Sequence, residues 1–148
     1  MPDDQAGTLA DLLRRASQSI QRLAPDEAYE QVRGGALLVD IRSELSRDRD
    51  GIVPGSLHIP RTVLEWRVAS DSKWRNPSIA RPDQRLILIC DHGCSSVLAA
   101  ATLVELGFSR AGDVIGGFAA WRDAGLPVVA APPHRTPGEL PGMAAADW

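Results

Sequence analysis

The segment 86–96, Leu-Ile-Leu-Ile-Cys-Asp-His-Gly-Cys-Ser-Ser, constrains the fold of this chain more than any other. A short apolar run ends abruptly at Cys90, a tight glycine-containing loop follows, and an Ala/Leu-rich helical pattern begins at once. A short apolar run bounded by turn residues is typical of a fully buried strand. Strand, tight loop and helix in direct succession therefore predict an α/β fold, with Cys90 at the carboxyl end of a buried strand.

This position gives the cysteine a chemical interpretation. Ligands of open α/β sheets bind at the carboxyl ends of the strands. The loop N–H groups and the positive end of the helix dipole both favour a bound anion there. The same field lowers the pKa of a thiol, and the thiolate is the reactive form. We predict that Cys90 is a nucleophile; the alternative is an inert core cysteine, because free Cys packs like a small hydrophobe.

The rest of the chain alternates short apolar strands with helical patterns, which predicts a mostly parallel sheet. An amphipathic helix is predicted over 8–23, from Leu and Ile at helical spacing. Further helices are predicted over 25–32, 62–68, 95–106 and 118–124. Strands are predicted over 36–41, 56–59, 85–89 and 113–115, with an edge strand at 128–129. The charged segment 42–55 is predicted to be a loop.

Three regions follow from this pattern. Residues 1–24 form an N-terminal amphipathic helix extension, residues 25–130 the main domain, and residues 131–148 a proline-rich tail predicted to be disordered. A chain of 148 residues can form one domain that buries roughly two-thirds of its unfolded surface.

Composition narrows the partners and the compartment. The net charge of −3 argues against nucleic acid, because phosphate binding needs a concentrated basic face. The two cysteines lie only four positions apart, so they do not form the disulfide framework of a secreted domain. The N-terminus lacks the basic and apolar regions of a signal peptide, and no apolar stretch approaches the roughly 20 residues that span a bilayer. We expect a cytoplasmic protein with no membrane partner.

Four segments, in this order and spacing, resemble those of single-domain rhodaneses. They are Leu-Val-Asp-Ile-Arg (38–42), Val-Pro-Gly-Ser-Leu-His-Ile-Pro (53–60), Cys-Asp-His-Gly-Cys-Ser-Ser (90–96) and Gly-Gly-Phe-Ala-Ala-Trp-Arg-Asp-Ala-Gly-Leu-Pro (116–127). The resemblance covers about residues 25–130 and implies a rhodanese-like α/β fold, a small mostly parallel sheet flanked by helices. Ser95 stands where many relatives carry an arginine, and the loop is similar to that of small bacterial thiosulfate sulfurtransferases.

The activity implied by the resemblance is sulfur transfer through a cysteine persulfide. Cys90 would take the sulfane sulfur from thiosulfate or a related persulfide donor and pass it to cyanide or a thiol, without metal or organic cofactor. A different class of function is a persulfide carrier or regulatory module that does not turn over, with a protein as sulfur acceptor. A cysteine-dependent phosphatase or arsenate reductase would need an arginine near the end of the loop, where Ser95 and Ser96 stand.

The residues after Cys90 are the predicted substrate-binding residues: Asp91, His92, Gly93, Cys94, Ser95 and Ser96. The backbone N–H groups from about His92 to Ser96 are expected to converge on the donor anion. Gly93 allows the loop to adopt positive φ. Ser95 and Ser96 either bind the sulfur and the substrate oxygens or cap the following helix.

Three loop side chains have open roles. His92 is a candidate general base, although a thiolate beside a helix N-terminus needs none. Asp91 is expected to point to solvent, because a carboxylate beside the cysteine would raise the pKa of the thiol. Cys94 either fills a variable loop position or forms a redox-controlled disulfide with Cys90. A zinc site is disfavoured, because Cys-x-His-x-Cys lacks a fourth ligand at a usual spacing.

Asp40 and Arg42 match the family's Asp-x-Arg pattern and are the predicted supporting residues. A carboxylate at the end of a buried strand is costly unless it is paired. Asp40 is therefore expected to order the neighbouring loops, with Arg42 as its partner, rather than to contact substrate. His58 is expected to be a structural histidine.

Overall fold

One sheet of short strands forms the centre of the molecule. The structure is a computed structural model that describes residues 7–79 and 81–133. The strands are β1 (Gln21–Leu23), β2 (Leu37–Asp40), β3 (Leu57–His58), β4 (Leu86–Ile89) and β5 (Gly112–Val114). Their order in the sheet is β1-β5-β4-β2-β3, and all four neighbouring pairs are parallel. The predicted parallel α/β sheet is confirmed.

Six α-helices occur among the described residues. They are α1 (Leu9–Ser19), α2 (Pro25–Arg33), α3 (Glu44–Asp50), α4 (Leu64–Val68), α5 (Ser95–Glu105) and α6 (Gly117–Asp123). A 3-10 turn, Arg61–Val63, leads into α4. The predicted helices at 25–32, 62–68, 95–106 and 118–124 are confirmed to within a few residues, with Arg61–Val63 as the 3-10 start of the second.

The sheet separates two apolar clusters because side chains alternate along each strand. Leu86, Leu88 and Cys90 face the cluster that also contains Leu103 of α5. Ile87 and Ile89 face the opposite cluster, which contains Trp121 of α6. Both faces of β4 are therefore buried, which explains its uninterrupted apolar sequence. Cys90 lies on the α5 side.

The helix predicted over 8–23 ends earlier than expected. α1 stops at Ser19, Ile20 is extended at φ −122° and ψ 168°, and β1 follows as an edge strand of the sheet. The prediction was wrong because the apolar residues at the end of the pattern serve strand and helix equally well. The Leu23 side chain is buried in the apolar cluster on the α6 side of the sheet, beside Val114 of β5. The segment before residue 25 therefore contributes to the same sheet.

The segment 42–55 is not wholly a loop, and this prediction was also wrong. It contains α3, which Ser43 caps by accepting a hydrogen bond from the Ser46 N–H at 3.1 Å. Gly51 ends the helix at φ 87°. Its charged sequence hid a short helix that leaves Leu45 73% exposed and buries Ser46. Val129 forms only an isolated antiparallel bridge with Ile52, not the predicted edge strand.

The predicted tail begins at residue 131, and its residues 134–148 lie outside the described part of the chain. Residues 131–133 are in no regular element. Among the described helices, none has the length and apolar character that crossing a bilayer requires.

Candidate active site

Cys90 directly follows β4, and α5 begins five residues later at Ser95. Cys90 is only 5% exposed and packs against the apolar cluster on the α5 side of the sheet. The loop between these two elements curls around the sulfur. The sequence of a buried strand, a cysteine, a short loop and a helix is thus present as the pattern indicated.

The first turn of α6 forms backbone hydrogen bonds with this loop. The N–H of Phe118 donates to the carbonyl of Cys90 at 2.7 Å, and the N–H of Ala119 donates to the carbonyl of Asp91 at 3.1 Å. On the inner side of the same loop, the N–H of Gly93 donates to Cys90 Sγ at 3.1 Å. Two segments far apart in sequence therefore build the loop.

Two glycines make this contact possible. Gly93 has φ 81°, and a Cβ at this position would lie 2.6 Å from the backbone nitrogen of Gly116. Gly117 has φ 62°, and its Cβ would lie 2.5 Å from the carbonyl oxygen of Cys90. Positive φ and close backbone approach both exclude a side chain. The predicted positive φ of Gly93 is confirmed.

The surroundings of Cys90 favour the thiolate. Burial of the sulfur opposes ionisation, but hydrogen bonds outweigh it and hold the pKa of the Cys90 thiol below its usual value. These bonds come from the side chain and backbone of Ser96, the side chain of Ser95 and the backbone of Gly93. Hydrogen bonds to the charged form are the expected cause of such a shift.

Ser96 connects Cys90 to a buried carboxylate. The thiol donates to Ser96 Oγ at 3.2 Å, and the Ser96 hydroxyl donates to Asp113 Oδ2 at 2.7 Å. Ser96 and Asp113 are both fully buried. Ser96 has a single hydroxyl hydrogen, so it serves either Asp113 or the sulfur.

Arg22 completes this chain of contacts. Its guanidinium binds both oxygens of Asp113, at 2.9 and 3.1 Å, and donates to the carbonyl of Gly93 at 2.9 Å. Hydrogen bonding to Asp113 raises the pKa of Arg22, with smaller contributions from the charges of Asp113, Cys90 and Cys94. A cation therefore lies against the outer side of the loop. Its charge is balanced by Asp113.

Sequence reasoning missed both Arg22 and Asp113. Arg22 lay inside a pattern interpreted as helix, and Asp113 was treated only as the first residue of a strand. A signal was available: a carboxylate within a three-residue buried strand must have a partner. The partner itself was hidden, because the two residues are 91 positions apart.

The other loop residues surround the site without contacting the sulfur through a hydrogen bond. Asp91 is half-buried rather than pointing freely to solvent, and its carboxylate accepts a hydrogen bond from Ser46 at 3.4 Å. His92 is exposed and, with Asp91, borders a pocket of about 200 Å³ whose other lining residues include Arg49 and Arg122. Cys94 is an exposed free cysteine, so its disulfide with Cys90 stays a prediction.

The helix cap was one of two roles open for the serines. Cys94 occupies the N-cap of α5, without a side-chain capping bond, and Ser95 and Ser96 are the first helical residues. Neither serine is therefore the cap, and the Ser96 hydroxyl turns toward Cys90 and Asp113 instead. Among residues 7–79 and 81–133, no group of three His, Cys, Asp or Glu side chains is arranged to hold a metal ion.

Asp40 and Arg42 lie beside the site. Arg42 binds Asp40 through its backbone N–H and through Nε, both at 3.0 Å, and through Nη2 at 2.9 Å. Nη2 also donates to the Gly51 carbonyl at 2.8 Å, so the pair connects β2 to the end of α3. The Arg42 guanidinium stacks 3.8 Å above the Phe118 ring of α6. This geometry matches the ordering role expected for Asp40.

His58 supports the same region. Its Nε2 lies 2.8 Å from the Arg42 carbonyl and its Nδ1 lies 3.1 Å from Arg47. Burial lowers the pKa of His58, and the cation of Arg47 lowers it further. The neutral imidazole is therefore a structural element here.

The chain matches the family model for the rhodanese-like domain over residues 24–124. It is 36% identical over 107 residues to a thiosulfate sulfurtransferase GlpE of Pseudomonas paraeruginosa, a match that covers 72% of this chain and 87% of that protein. It is 33% identical over 111 residues to the Haemophilus influenzae protein of the same name, covering 74% and 95%. The chain therefore belongs to the rhodanese-like family.

Solved structures agree with this placement. A Rhodopseudomonas palustris protein of unknown function, described as a possible tyrosine phosphatase, superposes with a TM-score of 0.77 at 32% identity, covering 87% of this chain and 99% of that one. A rhodanese-related protein of Thermoplasma volcanium gives a TM-score of 0.61 at 28% identity, covering 75% and 99%. The family and its named relatives support sulfurtransferase activity in general for this chain.

Proposed function

We propose that this protein is a thiosulfate sulfurtransferase that carries the transferred sulfur on Cys90. The observation that carries the proposal is the environment of the sulfur: a lowered thiol pKa, a Gly93 N–H at 3.1 Å and a Ser96 hydroxyl at 3.2 Å. This arrangement favours a nucleophile that must hold negative charge both before and after it accepts a sulfur atom.

The first half-reaction forms the persulfide. The Cys90 thiolate attacks the outer sulfur of thiosulfate, a new S–S bond forms, and the S–S bond of thiosulfate breaks with its electron pair leaving on sulfite. The terminal sulfur then bears the charge that the thiolate bore, so the hydrogen-bond donors of the loop stabilise both states. Because Cys90 is only 5% exposed, the outer sulfur of a slender donor is the part that reaches it.

The second half-reaction regenerates the enzyme. Cyanide or a thiolate attacks the terminal sulfur of the persulfide, and the bond to Cys90 breaks with its electron pair returning to Sγ. Two half-reactions through a covalent intermediate predict ping-pong kinetics. No proton has to enter or leave when the attacking groups are already anionic.

Ser96 adapts to both charge states in this proposal. In the thiol form the sulfur donates to Ser96 Oγ while the hydroxyl donates to Asp113. In the thiolate form the hydroxyl hydrogen turns to the sulfur, and the two bonds from Arg22 keep Asp113 satisfied. Ser96 is then a donor to the reacting sulfur, and Arg22 and Asp113 are positioning residues.

A cysteine-dependent phosphatase would need an arginine that this loop does not contain. Gripping the oxygens of a phosphoryl group takes an arginine near the end of the loop, where Ser95 and the buried Ser96 stand. Arg22, which contacts the loop, donates to Asp113 and to the Gly93 carbonyl.

A persulfide carrier without turnover would have the same loop, so an experiment must distinguish it from the enzyme. The cytoplasmic location and the division into residues 1–24, 25–130 and 131–148 also stay predictions.

The test combines intact mass and turnover. After treatment with thiosulfate, wild type and Cys94→Ser should each gain the mass of one sulfur atom, whereas Cys90→Ser should gain none. Steady-state turnover with thiosulfate and cyanide supports the enzyme; persulfide formation with negligible turnover supports the carrier. A sulfur atom gained by Cys90→Ser but lost in Cys94→Ser would overturn the assignment of Cys90.

A further inference from the structure

A buried arginine lies at the edge of the sheet opposite to Cys90. Arg85 directly precedes β4, whereas Cys90 follows it, so about 16 Å of strand separates them. Arg85 is 8% exposed. Its Nε donates to Gln31 Oε1 at 2.8 Å, its Nη2 to Gln21 Oε1 at 2.6 Å and its Nη1 to the carbonyl of Arg110. All three acceptors are neutral.

Within the described part of the chain, no carboxylate compensates this buried charge. Among the described residues, neither Arg85 nor Arg110 has an ion-pair partner within 4 Å. Burial and the nearby charge of Arg110 lower the pKa of Arg85, which still lies far above neutrality for a guanidinium. A buried cation without a counter-ion is costly, and a bound anion would relieve that cost.

An open pocket of about 530 Å³ lies against these groups, large enough for a small-molecule ligand. Gln21, Gln31, Arg85 and Arg110 all line it. A guanidinium only donates, so both glutamine oxygens must face Arg85 and both amide NH₂ groups remain as donors. Nη1 and Nη2 of Arg85 each keep a second N–H beyond the bond described. Gln21, Gln31 and Arg85, which all line the pocket, therefore each have hydrogen-bond donors beyond the contacts described.

Two features of the pocket would repel an anion, a carboxylate and the carbonyl end of a helix, and both already have hydrogen-bond or ion-pair partners. Asp83 is the one carboxylate in the described lining of the pocket, and it pairs with Arg81 at 3.1 Å. The C-terminal end of α2 also borders the pocket, but the carbonyls of Glu30, Gln31 and Val32 accept from the N–H groups that follow them, those of Gly34, Gly35 and Ala36. The net charge of the lining is positive in a protein whose total is −3.

We infer that this pocket is a second binding site, separate from Cys90, that takes a phosphate-type oxyanion, either free or carried on a small organic molecule. Arg85 and Arg110 supply the charge, and Gln21 and Gln31 supply neutral donors. Charge-assisted hydrogen bonds to several oxygens of one group are the interactions expected of a phosphate. The inference does not depend on the reaction at Cys90.

The test is a titration of the full ¹⁵N-labelled chain at constant ionic strength in chloride. Inorganic phosphate and AMP are added separately while backbone amide resonances are followed. Saturable shifts at Gln21, Gly35 and Arg110, with affinity in the millimolar range or tighter, are expected. Tighter binding of AMP would identify an organic phosphate as the better ligand, and equal affinities would identify the free oxyanion; both outcomes support the site.

Arg110→Glu is the variant to compare, because Arg110 is exposed and its replacement should leave the fold intact. It should weaken binding by about tenfold or more, the effect of one lost charge-assisted contact. Arg75→Glu makes the same change of net charge at an exposed position outside the pocket and should bind as wild type does. Non-saturating shifts, equal weakening by both variants, or saturable shifts confined to the Gly93 loop would overturn the inference.

Discussion

Two aspartate–arginine pairs with buried carboxylates flank β4, and they use the same chemistry for different purposes. Asp40 and Arg42 are both almost completely buried, at 1% and 0% side-chain exposure, and Arg42 also binds the carbonyl of Gly51 at the end of α3. Asp113 is equally buried, but its partner Arg22 is 30% exposed. This second pair contacts Ser96 and the Gly93 carbonyl, and both of these residues also hydrogen-bond to the sulfur of Cys90. The role of each pair therefore depends on which other groups it hydrogen-bonds.

The largest effect is expected when the first pair is broken. Asp40→Asn leaves the buried Arg42 guanidinium without its counter-ion, so the free energy of unfolding should fall by about 3 kcal/mol or more. Urea unfolding followed by circular dichroism measures the change. The control Asp11→Asn removes an exposed pair with Arg14 and should cost less than about 1 kcal/mol. Equal losses in the two variants would show that the buried pair has no special role.

Replacing either partner of the second pair should shift the pKa of the Cys90 thiol, and the two replacements should shift it in opposite directions. Arg22→Gln leaves the Asp113 charge uncompensated, so the thiol pKa should rise. In Asp113→Asn the side-chain oxygen must face Arg22, and the NH₂ group then donates to Ser96 and turns the Ser96 hydrogen to the sulfur. That variant also removes a negative charge, so the pKa should fall.

The absorbance of the thiolate against pH, in a Cys94→Ser background, measures both shifts. At a pH below the midpoints, the thiolate population should change on the order of tenfold in each direction. The double variant should return toward wild type. The other titratable groups around the loop are Asp91, His92, the Arg49–Asp50–Arg122 group and the Asp40–Arg42–Arg47 group, and neither substitution alters any of them. Shifts of the same sign in both single variants would indicate a merely structural pair.

Ser96→Ala should also raise the pKa of the Cys90 thiol, but by less than Arg22→Gln. It removes one hydrogen bond from the sulfur but leaves the Gly93 N–H and the Arg22–Asp113 pair in place. The rate of Cys90 alkylation below the thiol midpoint should fall by about threefold, the value of a modest hydrogen bond. The pH profile of iodoacetamide alkylation tests this, again with Cys94→Ser as the background. An unchanged profile would remove Ser96 from the proposed mechanism.

The smallest effect should come from His58, which contacts the first pair through the Arg42 carbonyl. Its pKa is lowered in the folded protein by burial and by Arg47, so the unfolded chain binds the proton more tightly. Stability contributed by the neutral ring is present above the ordinary histidine pKa and is lost as pH falls below it. His58→Gln should therefore flatten the loss of stability between neutral and mildly acidic pH. Urea unfolding at several pH values measures this slope, and an unchanged slope would contradict the account.

The same contrast explains what could be predicted from the sequence. Asp40 and Arg42 are two positions apart, and Cys90 and its loop are contiguous, so local patterns were enough to predict the contact of the pair and the strand–loop–helix arrangement around Cys90. Arg22 and Asp113 meet only because β1 and β5 pair in parallel with these two residues side by side. That register depends on the whole sheet, and the apolar spacing of 8–23 concealed the strand. α3 was missed for a different reason, since a short charged helix held by a Ser43 cap has no apolar face to reveal it.

Edge strand β1 has a practical consequence for anyone trimming this chain. The family match begins at residue 24, two positions after Arg22. A fragment started at that boundary would keep every segment by which the family is recognised, yet it would expose the side of β5 and leave Asp113 without Arg22, its ion-pair partner next to the Cys90 site. Such a fragment would be a poor guide to the thiol chemistry of the longer chain.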